Sequence, residues 1–443
     1  MKLTAVDNNS EMSIQTAHRI SRKYGLIYIL NTYLSLNRDR HRKAVVFTMS
    51  KLIYLDNAAT TSVKPEVFEA MKPYYLENYS NPSSVYSFAG EAKKAMEDAR
   101  KVIADSLGAA ATEIYFTGGA SESDNWVLKG VAEAYQSKGK HIITSKIEHH
   151  AILHTCEYLE KHGYEVTYLD VDENGLVAPE EVEKAIRPDT ILISIMFANN
   201  EIGTIEPIAE IGKVAHEHGV LFHTDAVQAY AHVPINVQEM NIDMLSASGH
   251  KFHGPKGIGF LYMSNKVKIG PLIHGGSQER SRRAGTHNVP GIVGMAKAAE
   301  LAHANMDQTI AKETALRDHL IERLEKEIPY CRLNGDRIKR LPNNVNFCFR
   351  FIEGESLLIL LDQNGICASS GSACTSGSLD PSHVLLAIGL PHEIAHGSLR
   401  LTLSEDNTME EMDFVADQAK KIVERLRSMS PLYDDFVKQQ KEQ

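Results

Sequence analysis

Residues Ser246-Ala-Ser-Gly-His-Lys-Phe-His-Gly-Pro-Lys-Gly-Ile-Gly259 place one lysine, Lys251, among small, hydroxyl and imidazole side chains and directly before the apolar run 258–263. A lysine that attacks a carbonyl group needs a confined site with little bulk around it. Hydroxyls and an imidazole on the same turn suit a phosphate group. This combination predicts a lysine that binds pyridoxal 5′-phosphate (PLP) covalently. The alternative is an ordinary turn with an exposed lysine.

From about residue 63 onward, helical patterns alternate with short apolar runs. Strands separated by helices of this length predict an α/β fold with a mainly parallel sheet covered on both faces. Ligands bind such sheets outside the carboxyl ends of the strands. The predicted strands are 113–117, 141–144, 165–169, 190–197, 220–223 and 244–247, and the predicted helices are 65–76, 89–107, 151–162, 178–186, 207–218 (with Pro207 at its first position) and about 289–328.

Size and composition place the chain among soluble globular proteins, with 443 residues, 43% of them hydrophobic and 23% charged. The net charge of −10 argues against a nucleic-acid-binding protein, which normally has a basic face. The cysteines are five, an odd number, and none forms a C-x-x-C pair. This usage predicts a reducing compartment such as the cytoplasm, with no zinc site and no disulfide scaffold.

Residues 1–48 differ from the rest of the chain, with eight Lys/Arg against three acidic residues. The apolar stretch 24–36 is too short to span a bilayer, and no small-residue cleavage site follows it, so no stable membrane anchor is expected. An ordered pattern begins after Met49. We interpret residues 1–48 as a poorly ordered N-terminal extension; the alternative is a basic helix on a membrane surface.

A carboxylate ends the buried-strand pattern Val220-Leu-Phe-His-Thr-Asp225, at the edge of the sheet where a ligand would lie. Asp225 facing a pyridine nitrogen would keep that nitrogen protonated, which makes the ring an electron sink. Gln228, three residues later, could donate to the phenolic oxygen of the ring. An N-cap role at the following helix explains Asp225 equally well.

Three other segments follow predicted strands. The turn Gly118-Gly-Ala-Ser-Glu-Ser123 offers backbone N–H groups and the Ser121 hydroxyl to a phosphate. Lys146-Ile-Glu-His-His150 offers an imidazole that could stack on a flat ring and move protons, and Asn200 could reach a ligand oxygen. The alternatives are plain turns and a surface histidine. A metal site is disfavoured because adjacent histidines rarely chelate together and no third ligand is evident.

Cys374 lies in Ala368-Ser-Ser-Gly-Ser-Ala-Cys-Thr-Ser-Gly-Ser378, which has almost no bulky side chains. An accessible thiol on a flexible segment suits a nucleophile that travels between a site and a partner. Arg400, in a strand-like pattern, could clamp a substrate carboxylate, or it could be an ordinary strand charge. The loop 275–288 carries glycines, arginines and Thr286, and is interpreted as a loop at a subunit interface or over a site; a solvated basic loop is the alternative. The other cysteines are expected to be packing residues: Cys156, Cys331, Cys348 and Cys367.

Taken together, these segments resemble the PLP-dependent cysteine desulfurases of the NifS/IscS type, in the class-V aminotransferase family. The matching blocks occur in family order from residue 52 to about 428 and are highly specific as a set. They are Tyr54-Leu-Asp-Asn-Ala-Ala-Thr-Thr61, Ser80-Asn-Pro-Ser-Ser84, 118–125, Glu148-His149, Asn199-Asn-Glu-Ile-Gly203, 223–228, 248–259, Arg283-Ala-Gly-Thr286, 369–379 and Arg400.

The resemblance implies a fold-type-I PLP-dependent transferase that forms a homodimer with its sites at the subunit interface. Its large PLP-binding domain, with a mainly parallel seven-stranded sheet, would comprise residues 63–307. Residues 49–62 and 308–430 would form a smaller α/β domain, followed by a C-terminal tail at 431–443. The implied reaction converts L-cysteine to L-alanine and leaves the sulfur as a persulfide on Cys374, for delivery to an iron–sulfur scaffold or another acceptor protein.

The resemblance also assigns roles to individual residues. Lys251 would hold the cofactor and abstract the substrate α-proton, and Cys374 would attack the substrate sulfur. Asp225 would pair with the pyridine nitrogen, Gln228 with the phenolic oxygen, and His149 would stack on the ring. The phosphate would be bound by the turn Gly119-Ala120-Ser121, by Ser248 and His250, and by Thr286 of the other subunit, and the substrate by Asn200, Arg400 and Asn81.

Three features depart from the family pattern. Ser121 replaces a frequent threonine, Ser277 and His287 replace an expected glycine and glutamate, and residues 1–48 have no counterpart. Two other functions stay open at this point. One is a selenocysteine lyase or another β-eliminating or amino-transferring PLP enzyme, although transamination needs no thiol. The other is a non-enzymatic scaffold, which would require loss of the lysine or the aspartate.

Overall fold

A computed structural model describes residues 52–370 and 381–442. The predicted extension at 1–48 and the segment that contains Cys374 lie outside the described residues. The fold below is one compact unit that comprises Ile53–Asp362 and the described chain from Ile366 onward. Within the described part of the chain, we find no helix with the length and apolar character needed to cross a membrane.

Twelve strands occur in the described residues, in three sheets. The largest has seven strands in the order β2-β8-β7-β6-β5-β3-β4. Only β8 runs in the direction opposite to the other six strands, so the prediction of a mainly parallel seven-stranded sheet is confirmed. The strands are β1 Ile53–Tyr54, β2 Ile114–Thr117, β3 His141–Ser145, β4 Glu165–Leu169, β5 Thr190–Ser194, β6 Leu221–Asp225, β7 Met244–Ser248, β8 Gly259–Met263, β9 Cys331–Leu333, β10 Asn344–Phe349, β11 Ile366–Cys367 and β12 Ser398–Thr402.

Helices pack on both faces of the large sheet through their buried apolar residues. In α3, buried residues recur at three- and four-residue spacing from Ala92 to Leu107, and the helix ends at Gly108 with φ 67°. The helices are α1 Pro65–Met71, α2 Pro73–Leu76, α3 Gly90–Leu107, α4 Ala120–Tyr135, α5 His150–Glu160, α6 Pro179–Ala185, α7 Ile208–Glu217, α8 Val289–Ala304, α9 Met306–Glu327, α10 Gly354–Asp362, α11 His383–Ala387, α12 His392–Ala395, α13 Met409–Arg427 and α14 Pro431–Glu442.

The two faces of the sheet have separate hydrophobic cores. One contains Phe222 and Leu245 together with residues of α3 and α8. The other contains Leu192 and Met244 together with residues of α4 and α5. Because side chains alternate along a strand, the core residues of β5, β6 and β7 show to which face of the sheet each of the other residues in these strands points.

A second, smaller sheet in the order β12-β10-β9 packs with α9, α10 and α13 around its own hydrophobic cluster. The strands β1 and β11 pair in parallel beside it. Separate cores around separate sheets are compatible with the predicted large and small domains, whose boundaries stay a prediction. The predicted C-terminal tail contains helix α14.

Three predicted helices differ from those in the structure. The helical pattern at 289–328 is broken at Asn305 into α8 and α9, and the pattern at 65–76 is broken before Pro73, whose missing N–H cannot continue the ladder. Pro207 is the N-cap of α7 and not its first residue. The predicted strand 190–197 ends earlier, at Ser194.

Candidate active site

A cavity of about 770 Å³ opens beside the carboxyl ends of the parallel strands β6 and β7. This is where ligands bind in sheets of this kind. Eleven of the predicted site residues line it, from elements far apart in sequence. They are Gly119, Ala120, Ser121, His149, Asn200, Asp225, Gln228, Ser248, His250, Lys251 and Arg400.

Lys251 reaches the cavity from the single turn of 3₁₀ helix that follows β7. Its Nζ donates hydrogen bonds to the carbonyl oxygens of Ala58, at 2.5 Å, and Ala59, at 3.0 Å. Both alanines belong to the turn after β1, in the first block of the family pattern. Two well-separated parts of the chain therefore meet at this amine, and the N-terminal turn fixes its position.

Asp225 is the last residue of β6 and is 5% exposed. Its Oδ1 accepts the Val227 N–H at 2.9 Å. Burial raises the pKa of Asp225 to about 6, while the Val227 N–H and the charge of Lys251 act in the opposite direction. Gln228 lies beside it and donates from Nε2 to the Ala58 carbonyl at 3.1 Å. Asp225 and Lys251 thus line the same cavity, and the charge of Lys251 acts on the Asp225 carboxyl.

The glycine turn between β2 and α4 forms the other end of the cavity. Gly119 has φ 152°, and a Cβ there would project towards Ser248 Oγ at 3.8 Å, into the space the turn leaves open. Gly259 of β8 allows the close approach, since a Cβ on it would lie 2.8 Å from the Gly119 Cα. The first-turn N–H groups of α4, at Ala120 and Ser121, have no acceptor within the helix.

His149 caps α5, and its Nδ1 accepts the Ala151 N–H at 3.1 Å. This bond leaves the proton of the neutral ring on Nε2. Burial and, secondarily, the charge of Lys251 lower the pKa of His149 to about 4. Above that pH the ring is neutral and suits stacking on an aromatic ligand. In the described residues, no group of three or more His, Cys, Asp or Glu side chains is arranged to hold a metal ion.

Arg400 of β12 brings a buried guanidinium to the cavity, although sequence alone left an ordinary strand charge open. Its Nη1 donates to the Asn200 carbonyl at 3.2 Å, and its Nη2 pairs with Asp56 Oδ1 at 2.9 Å. Its Nε is buried without a hydrogen-bond partner. Sequence reasoning placed Asp56 within a matching block but missed its role; only the fold shows that Asp56, just after β1, lies beside β12.

Thr286 and Asn81 do not line the main cavity. Both line a smaller pocket of about 120 Å³, together with Tyr74, Ser80 and Pro82. Thus the chain does not bring these two predicted residues to its own Lys251. The sequence analysis expected Thr286 to act on the other subunit, whereas it gave no such qualification for Asn81.

The loop that carries Thr286 is anchored by Glu279. This carboxylate is buried and accepts from Arg100 Nη1 and Nη2 at 2.7 and 2.8 Å, from Phe116 N at 3.0 Å and from His287 Nε2 at 2.9 Å. Residues 279–281 all have positive φ, between 44° and 64°. The unexpected His287 therefore has a partner in its own loop, and a second pair, Arg283–Glu122, ties the loop to α4.

Replacing Glu279 by glutamine is expected to lower the free energy of unfolding by about 3 kcal/mol, because buried Arg100 would lose its buried counter-ion and keep only the exposed Glu97, at 3.4 Å. Burial alone would raise the pKa of Glu279, but hydrogen bonds from Arg100 and His287 lower it to about 2. The deficit should therefore be complete above pH 4.5 and vanish as the pH falls towards 2. Urea unfolding at several pH values measures it.

The control is Asp105→Asn, which breaks an exposed pair with Lys101. Exposed pairs of this kind contribute little, so no measurable change is expected. Equal effects of the two substitutions, or a deficit of Glu279→Gln that does not depend on pH, would contradict the anchoring role of Glu279.

Comparison with known proteins agrees with this geometry. Residues 53–415 match the family model "Aminotransferase class-V". The chain is 61% identical over 387 residues to the cysteine desulfurase IscS of Methanosarcina thermophila, covering 87% of this chain and 96% of the relative. It is 58% identical over 396 residues to the cysteine desulfurase IscS of Clostridium botulinum, covering 89% of this chain and all of the relative.

Solved structures lead to the same class. A NifS-like protein superposes with a TM-score of 0.79 at 40% identity, covering 84% of this chain and 99% of the other. A structure described as SspA in complex with cysteine superposes with a TM-score of 0.71 at 41% identity, covering 80% of this chain and 100% of the other. The chain therefore belongs to the class-V aminotransferase family and, within it, to the cysteine desulfurases. It has the fold of the fold-type-I enzymes.

Proposed function

We propose that the chain binds PLP in the 770 Å³ cavity and converts L-cysteine to L-alanine, leaving the sulfur as a persulfide on Cys374. The observation that supports the proposal is that Lys251 and Asp225 line one cavity together with the start of α4, whose free N–H groups suit an anion. An amine, a buried carboxylate and phosphate donors together fit PLP. No other common cofactor needs all three.

Specific side chains would hold each part of the cofactor. Lys251 would bind it covalently, Asp225 would face the ring nitrogen, and Gln228 would face the phenolic oxygen. His149 would lie against the ring, and the start of α4 with Ser121, Ser248 and His250 would bind the phosphate. Bound PLP would supply a sink for the electron pair left when the substrate Cα loses its proton.

The chain's own residues would carry out the remaining steps. Arg400 and Asn200 would bind the substrate carboxylate, and Lys251 Nζ would take the proton from Cα. The Cys374 thiolate would attack the substrate sulfur: an S–S bond forms, the Cβ–S bond breaks, and its electron pair stays with Cβ. Protonation of Cβ and return of the proton from Lys251 Nζ to Cα would give alanine, and delivery of the persulfide sulfur to an iron–sulfur scaffold or another acceptor protein would follow.

The residues on either side of the Cys374 segment support the proposal that Cys374 attacks the substrate sulfur. Ser369 pairs with Arg400 through two backbone hydrogen bonds of 3.1 and 2.6 Å. Ser382 donates to the buried carboxylate of Glu201, next to Asn200. The described residues that flank the segment, Ser369 and Ser382, thus contact Arg400 and the neighbour of Asn200 in the chain, Glu201.

We also propose a homodimer in the cytoplasm, in which Thr286 of one subunit completes the phosphate site of the other. Thr286 lies outside the cavity of its own chain. Beside its pocket, the stretch 68–88 exposes an unusual number of large apolar side chains, which a partner subunit would cover. They are Phe68, Tyr75, Leu76, Tyr79, Val85, Tyr86 and Phe88.

Replacing Arg400 by lysine is expected to lower kcat/KM for L-cysteine about 100-fold, mainly through KM, because an ammonium group cannot form the two-pronged contact with a carboxylate. The affinity for PLP should change little. Steady-state alanine formation and PLP titration measure the two effects. Arg332→Lys, on the half-buried strand β9 and outside the cavity lining, is the control. An unchanged KM for Arg400→Lys would remove Arg400 from the substrate site.

The proposed reaction is tested by its stoichiometry. PLP-loaded protein with L-cysteine and a thiol acceptor should release alanine and transferable sulfur in equal amounts. The same assay with selenocysteine in place of cysteine tests the competing activity. Alkylation of the protein's thiols should strongly suppress alanine formation from cysteine, whereas an elimination that uses no protein thiol would be suppressed little. Pyruvate in place of alanine, or alanine formation insensitive to alkylation, would contradict the proposal.

A further inference from the structure

Asp56 holds the guanidinium of Arg400 from outside the cavity. Its Oδ1 accepts a hydrogen bond from Arg400 Nη2 at 2.9 Å. The side chain of Arg400 is 2% exposed and that of Asp56 is 22% exposed. Of the two residues, only Arg400 lines the cavity of about 770 Å³. Asp56 can therefore act on a ligand in the cavity only through the guanidinium that it contacts.

The single contact with Asp56 leaves Arg400 able to bind a second carboxylate. A guanidinium has five N–H groups. Asp56 takes one of them on Nη2, and the Asn200 carbonyl takes one on Nη1 at 3.2 Å. Among the described residues, Nε has no hydrogen-bond partner although it is buried. One N–H group thus remains on each nitrogen, which is sufficient for a two-pronged contact with a substrate carboxylate.

The turn that begins with Asp56 also contacts the amine of Lys251. The carbonyl oxygens of Ala58 and Ala59 accept hydrogen bonds from Lys251 Nζ at 2.5 and 3.0 Å. One short turn therefore contacts both the guanidinium that we assign to the substrate carboxylate and the amine that we assign to the Cα proton. In an α-amino acid, this carboxylate and this proton are on the same carbon, so the guanidinium and the amine must lie at a fixed spacing.

Backbone hydrogen bonds hold this turn on both sides. Towards β12, Asn57 Nδ2 donates to the Thr402 carbonyl and the Ala58 N–H donates to Thr402 Oγ1, both at 2.8 Å. Towards Lys251, the N–H and the hydroxyl of Thr61 donate to the His250 carbonyl, both at 3.0 Å. A carbonyl can only accept and an N–H can only donate, so the directions of these bonds are fixed. The turn is thus a rigid link between the strand of Arg400 and the turn of Lys251.

A second carboxylate near Arg400 has a different partner. Burial raises the pKa of Glu201 to about 7, while its hydrogen bond with Ser382 and the charge of Arg400 act in the opposite direction. The Glu201 carboxylate accepts from the Ser382 hydroxyl. Within the described part of the chain, Asp56 is the only carboxylate that accepts a hydrogen bond from Arg400. Asp56 is therefore the acidic group that can orient the guanidinium.

We propose that Asp56 is a positioning residue for the substrate. Its carboxylate orients the Arg400 guanidinium so that the remaining N–H groups are available to the substrate carboxylate, and its turn sets this guanidinium at a fixed place relative to Lys251 Nζ. The inference deepens the proposed function and rests on it for the assignment of the α-carboxylate to Arg400.

The first test compares two ligands that differ at the carboxylate. L-Alanine has the carboxylate and contains no sulfur, so the Cys374 thiol has nothing to attack, whereas L-alaninamide lacks the carboxylate. The absorbance of bound PLP reports the Kd of each ligand for the PLP-loaded protein. Asp56→Ala should weaken L-alanine binding about tenfold and leave L-alaninamide binding and the affinity for PLP unchanged. Asp56→Asn retains an oxygen that accepts from Nη2, so it should recover most of the affinity for L-alanine.

The second test asks whether Asp56 acts through Arg400. The Kd of L-alanine is measured for Asp56→Ala, for Arg400→Lys and for the double variant. If the effect passes through the guanidinium, the double variant should bind L-alanine about as weakly as Arg400→Lys alone. The control is Asp413→Ala, which removes a half-exposed carboxylate from another arginine, Arg323, and should leave both Kd values unchanged.

Four results would overturn the proposal. They are an unchanged Kd of L-alanine in Asp56→Ala, an equal loss of affinity for L-alaninamide, additive effects in the double variant, and tighter binding of L-alanine in both Asp56 variants, which would show that Asp56 competes with the substrate for Arg400. If Asp56→Ala does not fold, Asp56→Ser replaces it, since the shorter side chain does not reach Nη2. If the PLP-loaded wild type binds neither ligand, the proposed function fails, and this inference fails with it.

Discussion

Replacing Lys251 by alanine is expected to abolish covalent PLP attachment and to lower alanine formation from L-cysteine by about a thousandfold or more. The reason is that one amine has two roles, holding the cofactor and moving the α-proton. In the structure this amine is fixed by the carbonyls of Ala58 and Ala59, beside Asp225. The visible spectrum, borohydride trapping followed by peptide mapping, and the rate of alanine formation measure both roles.

Lys256 provides a matched control because it also lines the cavity, at an exposed position. Lys256→Ala should keep the colour of the bound cofactor and change the rate by no more than a few-fold. If the reduced cofactor maps to Lys256, or if Lys251→Ala retains the spectrum of the wild type, the assignment of the cofactor lysine is wrong.

Replacing Cys374 by serine is expected to eliminate sulfur transfer, with a fall of about a thousandfold or more, while PLP binding is retained. Cys374 lies outside the described residues, so the argument comes from the other four cysteines. Burial raises the pKa of the thiols of Cys156, Cys331, Cys348 and Cys367, to about 11 for Cys331 and Cys348. None of the four is an activated thiolate, which leaves Cys374 as the candidate nucleophile.

Cys367→Ser is the appropriate control because Cys367 lies on β11, near Asp56. It should retain the activity of the wild type within a few-fold. Loss of sulfur transfer in Cys367→Ser with full activity in Cys374→Ser would reverse the assignment. Sulfur release and PLP absorbance, measured on the same preparations, separate a lost nucleophile from a lost cofactor.

The sequence predicted those parts of the site that local pattern determines. Lys251 and the turn at Gly119 follow strands, Asp225 ends one, and parallel strands bring their carboxyl ends to one edge of a sheet. Their meeting in one cavity follows from that rule. The family resemblance supplied roles that the patterns left open, such as those of His149 and Arg400.

Contacts between distant elements could not be predicted in this way. Nothing in the local sequence shows that Asp56 pairs with Arg400, or that Glu279 pairs with Arg100 of α3. The break between α8 and α9 at Asn305 could not be predicted either, because no proline marks it in the sequence.

The account is tested most directly by anaerobic incubation of the PLP-loaded protein with L-cysteine, followed by proteolysis and mass mapping of every cysteine peptide. The result predicted is a gain of one sulfur atom on the peptide that contains Cys374, removable by a reductant, with one alanine formed per sulfur. Alanine formation with the added sulfur on another cysteine, or on none, would contradict it.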